Sequence, residues 1–175
     1  MRAYILPTGN EILEGIVLDL DAPELMRQIV AAWPDAEVTR VSPIVDEEDK
    51  IFQKICSVSE TGPDLIVLIG GSGGGHRFSS TLGKDYTHTA LVRYLDEYSA
   101  REIYGKNGHM WSKLVCGRKG PTLVINVPGP YEEAKAAMQA CLDGMLRGAG
   151  VEEISRAMAQ AVFEKYPSGA ARLKE

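Results

Sequence analysis

The sequence predicts an α/β domain, a three-layer α/β/α sandwich around a mainly parallel sheet with one antiparallel hairpin. Three observations point there. Leu65-Ile66-Val67-Leu68-Ile69 is an uninterrupted aliphatic run, the pattern of a strand buried on both faces. Strand-like segments alternate with amphipathic helices along the chain. Polar, glycine-bearing clusters follow the apolar runs, at the strand ends where open α/β sheets gather their ligand-binding loops.

Taken in order, Arg2 to Leu6 reads as the first strand, stopped by Pro7, and Thr8 to Gly15 as a polar loop or short helix. Ala22 to Trp33 places Leu25, Met26, Ile29, Val30 and Trp33 at helical spacing, with Asp21 as N-cap and Pro23 in the first turn. Glu37 to Val41 alternates as a half-buried strand. Asp46 is placed to cap a second helix that runs to about Ser59 and carries Ile51, Phe52 and Ile55 on its inner face. The aliphatic strand follows, then a long loop to about Lys84. Asp85 opens a third helix with Leu91, Tyr94 and Leu95 inward. The apolar runs Lys113 to Cys116 and Pro121 to Val127 flank Gly117-Arg118-Lys119-Gly120, which predicts the hairpin. Pro128-Gly129-Pro130 ends its second strand and feeds a helix through Ala134, Ala137, Met138, Cys141 and Met145. A last helix from Val151 to about Tyr166 precedes a polar tail.

With 175 residues the chain is expected to form one domain, residues 1–175, in which 151–175 are a terminal helix and tail. A net charge of −5 provides no general attraction to nucleic acid or to anionic membranes, so an anionic ligand has to be held by local groups. No segment reads as a signal peptide or a membrane span. Three widely spaced cysteines (Cys56, Cys116 and Cys141) without a CxxC pair speak against a disulfide framework or a zinc site and place the chain in a reducing cytoplasm.

The loop Gly70-Gly71-Ser72-Gly73-Gly74-Gly75 leaves the strand's carboxyl end almost free of side chains, so backbone N–H groups can approach a phosphate there. It matches neither GxxxxGK[ST] nor GxGxxG. Ser72 lacks a GxSxG elbow and an evident base, which favours a phosphate hydrogen bond over nucleophilic attack. Asp85 has two readings: a carboxylate holding magnesium against phosphate oxygens, or a helix N-cap. His76, Arg77 and Lys84 add positive charge near the loop. The histidines lack the spacing of a metal site.

Together these residues resemble the molybdopterin-binding domain superfamily, which includes molybdopterin adenylyltransferases and the amino-terminal part of competence/damage-inducible proteins. Thr8-Gly9-Asn10-Glu11-Ile12-Leu13-Glu14-Gly15 resembles its TG(D/N)E(I/L)xxG opening, Val45-Asp46-Glu47 its VxDD element and Gly70-Gly71-Ser72-Gly73 its GGTG. Asp85-Tyr86-Thr87-His88-Thr89-Ala90 is similar to DxTxEA. Ser112-Lys113 through Gly117-Arg118 and on to Thr122–Gly129 is similar to SR…GxR…TLIxNLPG. The likeness spans about residues 2–147.

That resemblance implies a cleft for the pterin phosphate at Gly70, Gly71, Ser72, Gly73 and Gly74, with Thr87, Ser112 and Asn126 as rim contacts and Pro128-Gly129 as a second wall. It implies Asp85 as the catalytic acid and magnesium ligand, with molybdopterin and ATP as substrates and Mg²⁺ as cofactor. The partners implied are small molecules and further copies of the chain, commonly a trimer. The chain departs from the family pattern at three places: Thr89 stands where the family has a glutamate, Asp21 where it has an asparagine, and Arg77 to Gly83 looks inserted. Two other functions stay open: a nucleotide pyrophosphatase of the ADP-ribose type, suggested by the TGNEILEG opening, and a pterin carrier without catalysis. The apolar face of Val151, Ile154, Met158 and Val162 serves either self-association or packing within the domain.

Overall fold

The computed structural model describes residues 1–73 and 86–174. Seven strands form one sheet: β1 (Arg2–Pro7), β2 (Glu37–Arg40), β3 (Leu65–Ile69), β4 (Glu97–Gly105), β5 (Met110–Lys119), β6 (Thr122–Val127) and β7 (Ala171–Lys174). Their spatial order is β2-β1-β3-β6-β5-β4-β7. The first four in that order pair in parallel, while β6-β5, β5-β4 and β4-β7 are antiparallel. The α/β sandwich expected from the sequence is therefore present, and its antiparallel part extends two strands beyond the expected hairpin.

One face of the sheet carries α2 (Asp21–Ala32), α5 (Tyr131–Leu146) and α6 (Val151–Phe163); the other carries α3 (Glu48–Ser59) and α4 (Thr87–Tyr94). A short α1 (Asn10–Leu13) follows β1. All five residues of β3 and all six of β6 are buried. Their alternate side chains enter two separate cores: Leu65, Val67 and Ile69 in one, Ile66 and Leu68 in the other. This two-sided burial is why neither strand shows polar alternation.

Several local expectations are corrected. Asp21 is the first residue of α2, and the side chain that accepts from its first turn is Asp19, whose Oδ1 takes the Ala22 N–H at 2.9 Å. Glu47, rather than Asp46, precedes α3 and makes no side-chain cap. The hairpin turns on Gly120-Pro121, because Lys119 pairs with Thr122; Gly117, Arg118 and Lys119 lie within β5. The stretch after α4 and the polar tail contain β4 and β7. The apolar face of α6 packs within the domain: Val151, Ile154, Met158 and Val162 are all buried in the α5-side core. Among the described residues, no helix is long and apolar enough to cross a membrane.

Candidate functional site: a glycine loop between two helix starts

β1 sends its connection to one side of the sheet and β3 lies on the other, so the strand order reverses between them. Ligand crevices form outside the carboxyl ends of strands at such a switch point. Thr8-Gly9 leaves β1 there and Gly70-Gly71-Ser72-Gly73 leaves β3. The Thr8 hydroxyl donates to the Ile69 carbonyl at 2.8 Å and lies 3.2 Å from the Thr87 hydroxyl. With Thr8's proton committed to Ile69, Thr87 is the donor of that second bond.

The first two glycines are required by geometry. Gly70 has φ +87°, and a Cβ on it would sit 3.1 Å from the Thr8 carbonyl oxygen. Gly71 has φ +58°, and a Cβ there would collide with the Thr87 side chain. Only a residue without Cβ adopts these angles in so little space. The Gly70 N–H donates to the Val127 carbonyl at 3.1 Å, and the Gly71 carbonyl lies 3.4 Å from His88 Nδ1.

Two helices begin against this loop. Thr87, the first residue of α4, stands so close to Gly71 that a Cβ there would collide with it, and a Cβ on Gly129, two residues before α5, would lie 4.0 Å from the Gly70 Cα. Tyr86 and Pro130, the residues preceding the two helices, make no side-chain cap. Two positive dipole ends thus converge on one glycine loop, an arrangement that favours an anion.

β5 closes the third side. The Lys113 N–H donates to the Ser72 carbonyl at 2.6 Å, and the Ser112 hydroxyl lies 3.4 Å from that of Ser72. Ser72, Thr87 and Ser112 are buried. Asn126 is fully buried and its amide is spent on the β5 backbone: Oδ1 accepts from Val115 N–H at 2.6 Å and Nδ2 donates to the Lys113 carbonyl at 3.0 Å. It fixes the strand that carries Ser112 and Lys113, so its contribution to the rim is to shape it. Pro128 is buried and Gly129 exposed at the mouth.

The structure thus gathers Gly70, Gly71, Ser72, Gly73, Thr87, Ser112, Asn126, Pro128 and Gly129 at the carboxyl ends of β3 and β6 and the adjoining part of β5. Gly74 and Asp85, the latter expected as catalytic acid and magnesium ligand, lie outside the described residues, as do His76, Arg77 and Lys84. Among the described residues no cluster of three or more histidine, cysteine or acidic side chains is arranged to hold a metal ion. Burial pushes the Cys116 thiol up to about 12 and raises Cys141 well above its ordinary value, which keeps both protonated and chemically inert. Thr8 was missed as a site residue, although it heads the TGNE cluster. Asn10 also acts at a distance, its Oδ1 accepting from Asp46 N–H at 3.2 Å and tying α1 to the approach of α3.

The fold is an α/β domain whose glycine loop sits at the sheet's switch point. The chain belongs to the family described as "Probable molybdopterin binding domain", whose model matches residues 4–148. Among solved structures, it is similar to the molybdopterin biosynthesis enzyme MoaB of Thermus thermophilus, with a TM-score of 0.63, 23% identity, and coverage of 93% of this chain and 96% of that one. A CinA protein from Thermoplasma acidophilum matches with a TM-score of 0.57 and 20% identity, covering 84% and 96%. A CinA-like protein of Amoebophilus asiaticus is 26% identical over 96 residues, 55% of this chain. The chain's match spans about a fifth of that relative's length, 21%.

Proposed function

We propose that this protein binds molybdopterin through its terminal phosphate at the Gly70–Gly73 loop and adenylates it with Mg-ATP. The observation that carries the reading is the convergence of two helix starts without side-chain caps on two glycines that cannot bear a Cβ, ringed by the buried hydroxyls of Thr8, Ser72, Thr87 and Ser112. Such a nest orients a phosphate and neutralises charge that develops on it, which is most of what phosphoryl and nucleotidyl transfer ask of a protein. Thr87 and Ser72 re-aim their hydroxyls from their protein neighbours to phosphate oxygens, while Asn126 keeps Ser112 and Lys113 in place. Magnesium enters as part of the Mg-ATP substrate, with Asp85 assigned to it by the family resemblance.

The test is adenylation of molybdopterin by pure protein with Mg-ATP, alongside equilibrium binding of molybdopterin alone. The expected result is turnover that disappears in Asp85→Ala, with binding retained there and lost in Gly71→Ala. Binding without turnover leaves a pterin carrier; absence of binding sinks the proposal. The likeness to CinA-type proteins supports one second reading, hydrolysis of ADP-ribose with divalent ions, and release of AMP in the same preparation would favour it. Assembly into trimers belongs to the same proposal. It is supported by the exposed apolar run beside the cleft, where Ile16 is 73% and Leu18 79% exposed, and a monomeric mass by light scattering would remove it.

A further inference from the structure

Among the described residues, no helix packs closely on the second face of β4 and β7. α6 packs on β4 and β7 from one side: Ser99 and Arg101 of β4 bond Glu152 of α6, and Ile103 and Leu173 enter the core. Neither α3 nor α4 packs on β4 or β7 comparably from the other side. On that open side stand Glu102 and Tyr104 of β4, Lys113 of β5, and Arg172 and Lys174 of β7. Glu102 is the direct cross-strand partner of both Lys113 and Lys174, and Tyr104 of Arg172.

The charges here oppose those of the molecule. Among the described residues, Lys113 and Lys174 share one carboxylate and Arg172 stands beside them, a surplus of two positive charges in a chain whose net charge is −5. Glu102 Oε1 lies 3.1 Å from Lys113 Nζ, and Oε2 lies 3.3 Å from Lys174 Nζ and 2.9 Å from the Tyr104 hydroxyl. Burial acts to raise the Glu102 carboxyl, but the bonds from Tyr104, Lys113 and Lys174 outweigh it and hold the group below its ordinary value. Arg172 lies over the Tyr104 ring instead, 5.8 Å from its centroid. An anion is thus already bound on this face, and the anion is the protein's own side chain.

The face is continuous with the cleft. The Lys113 backbone N–H holds the Ser72 carbonyl of the glycine loop, while its side chain pairs with Glu102 on this face. Adjacent strands are about 4.8 Å apart, so Lys113 and Lys174, two strands from each other, form a cationic track that leads away from the loop.

We infer that this face of β4 and β7, with Lys113 of β5 at its border, is a subsite for the polyphosphate group of a nucleotide, with Lys113, Arg172 and Lys174 as its cations and Glu102 as a built-in competitor that the ligand displaces. The inference takes its ligand from the proposed cleft function, but its test does not pass through the cleft. Removing the competitor's charge strengthens binding, and removing the cations weakens it, which no merely structural role would produce in opposite directions.

Inorganic tripolyphosphate is the probe, titrated by calorimetry at low salt into the full chain, with ADP in a second arm to separate free polyphosphate from nucleotide. Glu102→Gln, which keeps the shape and the hydrogen-bonding capacity, is expected to bind tripolyphosphate at least fivefold tighter than wild type. The double variant Arg172→Ala, Lys174→Ala is expected to bind at least tenfold weaker and to show a shallower salt dependence. ADP binding that follows the same order supports a nucleotide; tripolyphosphate alone following it overturns the nucleotide assignment. Equal tripolyphosphate affinity in wild type and Glu102→Gln overturns the subsite, even where the double variant has frayed β7. The cleft reading is judged separately by pterin binding to Gly71→Ala.

Discussion

The two halves of this sheet solve burial differently. β1, β3 and β6 are covered on both faces and deliver the glycine loops to the cleft. β5, β4 and β7 are covered by α6 on one face, while the opposite face of β4 and β7 carries charge and aromatic rings. A strand held from both sides has little freedom to vary, since each side chain is surrounded by close-packed neighbours. A strand held from one side keeps its register through inward residues alone and is free to carry binding groups outward. The parallel half therefore fixes where the site is, and the antiparallel half decides what can be added to it.

Matched truncations break this comparison first and hardest. Leu68→Ala empties a fully buried position in β3 and is expected to cost about 2–5 kcal/mol in urea unfolding. Leu173→Ala in β7 removes the same atoms from a partly buried position and is expected to cost about 1 kcal/mol. Equal losses would mean that β7 is as integral to the core as β3.

The joint between the halves comes next. β5 pairs with β6 only from Cys116 to Lys119, and beyond that point Asn126 substitutes for the missing ladder with its two side-chain bonds. Asn126→Ala leaves the Val115 N–H and the Lys113 carbonyl without these partners in a buried setting. The expected loss is about 2–4 kcal/mol, together with faster amide exchange at Lys113, whose N–H holds the glycine loop. Unchanged exchange at Lys113 would show that the loop is clamped independently of Asn126.

What could be read from the sequence follows the same division. β3 announced itself because burial on both faces demands a run of aliphatic residues. The order of TGNE, the glycine loop and VPG predicted three neighbouring loops because they follow β1, β3 and β6, consecutive parallel strands of the sheet. β4 escaped because only Ile103 among its residues is a fully buried hydrophobic, while Ser99 and Arg101 turn inward to meet Glu152. β7 does alternate, Ala171 and Leu173 in and Arg172 and Lys174 out, but four residues are too few to stand out from a polar tail. Capping is not legible for a physical reason: Asp19 and Asp21 are both able to cap α2, and only the chain path decides that Asp19 does so.

That choice of cap leaves the smallest effect expected, on the surface of the parallel half. Burial first, and the Asp19 carboxylate second, raise Asp21 from 3.8 to about 6. Between those values the folded protein retains a proton that the unfolded chain has released, so stability falls as pH climbs through the interval and stays reduced above it. Asp21→Asn removes that penalty. The expected gain is about 1 kcal/mol at neutral pH, discounted from the full shift because the carboxyl is only partly buried and because a first-turn acid favours the helix dipole. Below about pH 4 both states hold the proton, so the gain should vanish there. Urea unfolding of the variant and wild type at the two pH values measures the difference. A gain of the same size at both would assign it to helix-start preference at this position, and the ionisation of Asp21 would then have no part in setting the stability of α2.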